Sequence, residues 1–211
     1  LGGIAISGAL DSIGLPPEEI RKLVDEVYLG NVCSAGVGQA PARIASLEAQ
    51  IPKTVPVTTI NKVCASGMKS AVFGAQSIAL GQAKTVVVGG FENMSQVPFY
   101  LINHRSGHPF GSHELIDGLA YDGLSDYHEK IPMGLCTEKT VADHNLTRAQ
   151  QDEFTIASYE KAIRCQQEKI FDDEIVPVLI SEKEGTLTID EEPTRFKKEK
   201  IPTLKPAFKK D

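Results

Sequence analysis

The stretch Val57–Ser70, VTTINKVCASGMKS, sets a single cysteine, Cys64, between a β-branched run and a run of small residues. Val57 onward reads as a buried strand, and Ser66–Leu80 reads as a helix with Gly81 as its stop. A thiol at such a junction lies where unpaired N–H groups and the positive end of the helix dipole converge. That setting favours the thiolate, which is the nucleophilic form. Most lone cysteines are small core hydrophobes. Here Ala65, Ser66 and Gly67 leave an uncrowded approach to the sulfur, and Asn61 and Lys62 add polarity on the strand side. Cys64 is therefore a candidate nucleophile for covalent acyl transfer.

Outward from this segment, strands and helices alternate. Helices are expected over Gly3–Ile13, Glu18–Leu23 and Pro41–Glu48, and strands over Glu26–Val32, Val55–Val63 and Lys84–Val88, the last fully buried. This order predicts an α/β fold whose mostly parallel sheet is flanked by helices. From Phe91 to Thr137 the periodicity fades and Gly, Pro, His and Asp become frequent, which reads as a loop excursion over the sheet. A capping box at Thr147–Gln150 then starts a helix through about Lys169. Ile175–Ile180 and Gly185–Ile189 read as antiparallel strands, followed by a basic tail holding Arg195, Lys197, Lys198 and Lys200. The organisation expected is a core half over 1–90, a loop domain with a covering helix over 91–169, and returning strands with the tail over 170–211.

Composition narrows the partners. A net charge of −6 argues against nucleic acid, and no apolar run approaches the roughly 20 residues that cross a bilayer. Cys33, Cys64, Cys136 and Cys165 form no CxxC pair and read as reduced thiols. Gly36–Arg43, GVGQAPAR, has neither the GxGxxG spacing nor a P-loop ending, so it reads as a turn feeding a packed helix. His104, His108 and His113 lack the spacing of a metal site and read as a solvated loop.

The residues match a family. INKVCASGMKS (Ile60–Ser70), GQAPAR (Gly38–Arg43), GGFENMSQVPF (Gly89–Phe99), DGLSD (Asp122–Asp126) and MGLCTE (Met133–Glu138) follow one another as in the thiolases. The whole chain resembles the N-terminal part of that family, in its acetyl-CoA C-acetyltransferase branch. The resemblance implies the thiolase-like fold, with the first strand missing, and a reversible condensation of two acetyl-CoA to acetoacetyl-CoA through an acyl-enzyme on Cys64. By the same resemblance Met133, Tyr159, Arg195, Lys197 and Lys200 contact coenzyme A, and Tyr159 borders a potassium site in some mitochondrial members. It implies no tightly bound cofactor, a homodimer or homotetramer, no membrane partner, and a mitochondrial location ahead of a cytoplasmic one.

Two departures stand out. Pro132 occupies the place of a family histidine, and the family's C-terminal half, with its catalytic histidine, second cysteine and asparagine, has no counterpart here. The expectation is a nucleophile without its base, and little or no turnover from these residues alone. The competing reading is a non-catalytic protein of the same fold that binds acyl-CoA or lipid, or assembles with a partner. A ketoacyl-synthase-type condensing enzyme is disfavoured by ASGMKS and GGFENMS.

Overall fold

The strand β1 (Glu26–Gly30) organises the first part of the chain. It pairs in parallel with β2 (Val57–Ile60) on one side and β3 (Val86–Gly90) on the other, with Val27 opposite both Val57 and Val87. The structure, a computed structural model, describes residues 1–107, 110–183 and 185–210. The chain divides into two compact units, Leu1–Leu124 and Ser125–Asp211, so the segment 91–169 is shared between them.

In the first unit, α1 (Gly2–Asp11), α2 (Pro17–Lys22), α3 (Pro41–Glu48) and α4 (Ser66–Ala79) surround the sheet. Pro17 and Pro41 each open a helix at a position where no N–H is needed. One hydrophobic core joins Ile6 and Leu10 of α1, Val27 and Leu29 of β1, and Ala42 and Ala45 of α3. The buried Arg21 ties the helices together, donating to Ala49 O (2.8 Å), Pro17 O (3.0 Å) and Asp11 (2.9 Å). GVGQAPAR is the turn that feeds α3, with Ala40 at φ 54° and Ala42 fully buried.

α4 packs differently. It turns Ser66, Ser70, Gly74 and Ser77 inward. Ser70 Oγ donates to Gly89 O (2.9 Å) and accepts from Gly89 N–H (3.0 Å), and Ser77 donates to the Glu26 carboxylate. The opposite side of α4 leaves Met68, Ala71, Val72, Ala75 and Ile78 exposed.

β3 is not the fully buried strand that KTVVV predicts, since Val88 is 41% exposed. Within the described sheet β3 and β2 are the edges, and β1 alone is paired on both sides. Antiparallel pairing is confined to two small ribbons, β4 (Phe99–Tyr100) with β5 (Ile116–Asp117) and β6 (Val178–Ser181) with β7 (Gly185–Leu187). The described residues of 91–124 otherwise form short turns, including a π turn at Leu119–Gly123.

The second unit carries α5 (Met133–Asp143) and α6 (Arg148–Gln167). α5 corrects the reading of 91–137 as irregular to its end. Gly134 in its first turn weakens the helical signal, and a Cβ there would stand 2.2 Å from the Phe208 ring. α6 starts on the capping box expected at Thr147 and Gln150, with both halves formed.

Candidate functional site

The strand preceding Cys64 ends at Ile60, three residues earlier than the β-branched run predicts, and residues 61–65 form a tight turn into α4. Val63 sits at φ 50°, a left-handed conformation that a β-branched residue adopts only under strain, at a cost of about 1–3 kcal/mol. Side chains hold it there. Asn61 Oδ1 accepts from Val63 N–H (3.0 Å), while the buried Ser66 Oγ donates to Val63 O (2.5 Å) and accepts from Lys62 N–H (2.9 Å). The turn lies hard against β1. A Cβ on Gly30 would meet Ser66 Cβ at 2.7 Å and Gly67 N at 2.9 Å, so only glycine lets the helix start this close to the strand end.

This arrangement leaves Cys64 exposed. No hydrogen bond from the N–H of Cys64, Gly67 or Met68 ends on a described residue, so three donors stay unpaired at the start of α4. Cys64 lines a cavity of about 360 Å³ at the C-terminal ends of the strands, with Cys33, Val63, Phe91, Glu92 and Leu119 among its walls.

Glu92, in the GGFENMS segment, carries no signal of its role in the sequence, yet it fastens the far wall. Its carboxylate accepts from Val32 N–H (2.8 Å), Cys33 N–H (3.3 Å) and Asn31 Nδ2 (3.1 Å). Asn31 Nδ2 also donates to Phe91 O (3.1 Å), so the turns after β1 and β3 are locked together. Burial, then the charges of Glu92 and Asp122, push the Cys33 thiol up, which keeps it protonated. Tyr100 donates to Asp122 (2.5 Å), and that bond, with burial and the same charge, takes its hydroxyl up to about 12. Among the described residues that line the cavity, none is a histidine.

Met133, Tyr159, Arg195, Lys197 and Lys200 belong to the second unit. Met133 begins α5 and is half exposed. Tyr159 on α6 donates to Glu192 Oε1 (2.8 Å) and stacks on Phe196 at 4.7 Å between ring centres. The bond to Glu192, then burial and the Glu192 charge, raise the Tyr159 hydroxyl. Arg195, Lys197 and Lys200 are exposed. The loop histidines His104 and His113 meet edge to face at 4.7 Å, and His108 lies outside the described residues. Among the described residues no cluster of three His, Cys, Asp or Glu side chains could hold a metal, and no helix is long and apolar enough to cross a membrane.

The family model of the thiolase N-terminal domain matches residues 1–211. The chain belongs to the thiolase family. It is 48% identical over 211 residues to a probable acetyl-CoA acetyltransferase of Dictyostelium discoideum, covering 99% of this chain and 50% of that protein. Two acetyl-CoA acetyltransferases of Gibberella zeae, one named mitochondrial and one cytosolic, are each 47% identical and each matched by 100% of this chain. The match covers 49% of the mitochondrial protein and 53% of the cytosolic one. Among solved structures, a thiolase of Ascaris suum in complex with coenzyme A superposes with a TM-score of 0.90 at 44% identity, over 100% of this chain and 53% of that one. The thiolase chain thus spans about half the length of the relatives it matches.

Proposed function

We propose that this chain is the nucleophile-bearing half of a thiolase-type acyltransferase that moves an acetyl group between CoA thioesters through an acyl-enzyme on Cys64. The observation that carries the reading is the strained turn at Val63, which leaves an exposed thiol in a cavity lined by Cys64 and Gly67, both with free N–H groups. Strain of this kind persists where a site requires it. In the first step Cys64 Sγ attacks the thioester carbonyl, the new C–S bond forms, and CoA leaves as its thiol with the proton given up by Cys64. A free N–H beside the sulfur takes the charge that develops on the carbonyl oxygen. In the synthetic direction a base takes a C2 proton from a second acetyl-CoA, the carbanion attacks the acyl-enzyme carbonyl, the bond from that carbon to Cys64 Sγ breaks, and the proton passes to the thiolate as acetoacetyl-CoA forms. In thiolysis CoA thiol takes the acyl group instead.

Both steps need a base. Among the described residues Glu92 is the only carboxylate lining the cavity, and three N–H groups occupy it. We therefore assign the base to a residue outside the described cavity lining; the relatives this chain matches are about twice as long. The exposed apolar side of α4 fits the same reading, because a helix apolar on its outer face is normally covered. For the chain standing alone, the lack of a base favours the second reading, a thiolase-fold protein that binds acyl-CoA or lipid.

Met133 and Tyr159 are proposed to border coenzyme A, with Arg195, Lys197 and Lys200 meeting its phosphates. Tyr159 Oη and the Glu192 carboxylate offer hard oxygens suited to potassium, too few to hold it without further ligands. The mitochondrial placement and the homodimer or homotetramer follow from the same family resemblance. The 91–169 and 170–211 segments keep their proposed roles as cover and CoA-contacting tail.

The test is mass spectrometry of the full-length protein after incubation with acetyl-CoA. An acetyl adduct on Cys64, with turnover abolished by Cys64→Ala, is expected. An adduct on another cysteine, or none, removes Cys64 as the nucleophile. Cys64-dependent thiolysis of acetoacetyl-CoA by the 211-residue chain alone overturns the need for an outside base.

A further inference from the structure

The segment after β7 runs back along α6 and is fastened to it repeatedly. Gln166 Nε2 donates to Asp190 O (2.8 Å), Tyr159 hydroxyl to Glu192 (2.8 Å), and Lys198 Nζ pairs with Glu160 (2.7 Å). Arg148 donates to Ile201 O (3.3 Å) and Leu204 O (2.9 Å). From Asp190 to Leu204 the partners on the helix run from Gln166, through the neighbouring Tyr159 and Glu160, down to Arg148, so the segment forms an antiparallel strap. Pro193 and Ile201 are buried and Phe196 is half-buried, whereas Arg195, Lys197 and Lys200 are exposed, with no ion pair among the described residues. The strap thus faces α6 with apolar groups and presents cations outward.

We propose that Phe196 and Glu192, acting through Tyr159, are positioning residues that register the strap so that Arg195, Lys197 and Lys200 meet the phosphorylated nucleotide end of a CoA thioester. The proposal rests on the CoA reading of those three cations given above. Phe196 lies between Arg195 and Lys197 in sequence, so its ring direction fixes the backbone that aims both. The Phe196 ring lies flat on Tyr159, 7° between planes, and Glu192 holds the Tyr159 hydroxyl from the same strap. The Lys198–Glu160 pair is exposed at both ends and adds little registration. Long cationic side chains lose freedom on binding, and a backbone already held in place reduces what binding must still order.

The experiment compares two thioesters on the full-length protein, acetoacetyl-CoA and acetoacetyl-pantetheine, the second lacking the phosphorylated nucleotide. Phe196→Ala is expected to raise the KM for the CoA thioester about fivefold. The KM for the pantetheine thioester, and kcat for both, should stay within about twofold. Glu192→Ala, at an exposed position, should shift the same ratio in the same direction, and Phe196→Tyr should restore it. An equal rise for both thioesters, or no rise for the CoA thioester, overturns the positioning role. The combined replacement of Arg195, Lys197 and Lys200 by alanine tests the underlying reading. If it leaves the ratio between thioesters unchanged, the CoA assignment fails whatever Phe196 does. If it moves the ratio and Phe196→Ala does not, only the strap proposal fails.

Discussion

The two faces of the β1-centred sheet are built from different materials. On one, α1 and α3 press Ile6, Leu10, Ala42 and Ala45 against Val27 and Leu29 in a dry apolar core. On the other, α4 meets the strands through Ser66, Ser70, Gly74 and Ser77, and satisfies them by hydrogen bonds to Val63 O, Gly89 and Glu26. The first face is held by area removed from water, which is large and non-directional. The second is held by directional bonds between small groups, which contribute less net stability but fix position. Cys64 hangs from the second face. A thiol that must be aimed is thus mounted where geometry, more than bulk burial, is specified.

Substituting matched positions on the two faces would break this contrast or sharpen it. Leu29→Ala on the apolar face opens a cavity at a residue only 3% exposed, and should destabilise the full-length protein by about 3 kcal/mol in denaturant melts. The rate at which iodoacetamide labels Cys64 in the folded protein should change little. Ser70→Ala removes almost no volume, yet it deletes one hydroxyl that bonds Gly67 O and both backbone groups of Gly89. It should destabilise by about 1–2 kcal/mol while altering the Cys64 labelling rate more than Leu29→Ala does. If both variants moved stability alone, the second face would be ordinary packing with polar side chains.

How much of this is legible in the sequence depends on whether the signal is local. α3 was readable because Pro41 marks its start and the small residues Ala42, Ala45 and Ala49 recur at helical spacing. The capping box of α6 was readable for the same reason. The end of β2 was not, because Val63 extends the β-branched run while its backbone leaves the strand at φ 50°. Strand order is set by tertiary pairing, so nothing local reveals that β3 forms an edge and leaves Val88 half exposed. α5 was hidden by Gly134, whose reason lies 74 positions away in the Phe208 ring (208 minus 134). Within the site, Cys64 was marked by its junction. The roles of Glu92 and Phe196 depend on partners distant in sequence, and only the fold brings those together.

The smallest expected effect lies at the opposite ends of the same strands. Asp25, just before β1, accepts from Lys84 N–H (2.7 Å) and Thr85 N–H (3.0 Å), and so pins the start of β3. Those two bonds, the larger from Lys84, lower its carboxyl below the ordinary 3.8 despite some opposing desolvation. A depressed folded value means that the unfolded chain binds the proton first. Asp25 therefore contributes stability that is fully present above the ordinary carboxylate value and is lost as pH falls through the depressed one. Asp25→Asn keeps an acceptor but no titration, so the melting temperature of the variant should fall less steeply than wild type between about pH 5 and pH 2. Labelling of Cys64 at neutral pH should be unchanged, because Asp25 and Cys64 occupy opposite ends of the sheet. An acid arm of unchanged slope would show that the Asp25 bonds do not survive in solution. An altered Cys64 rate would show instead that the two strand ends are coupled, and that aiming the thiol depends on the whole length of β1 and β3.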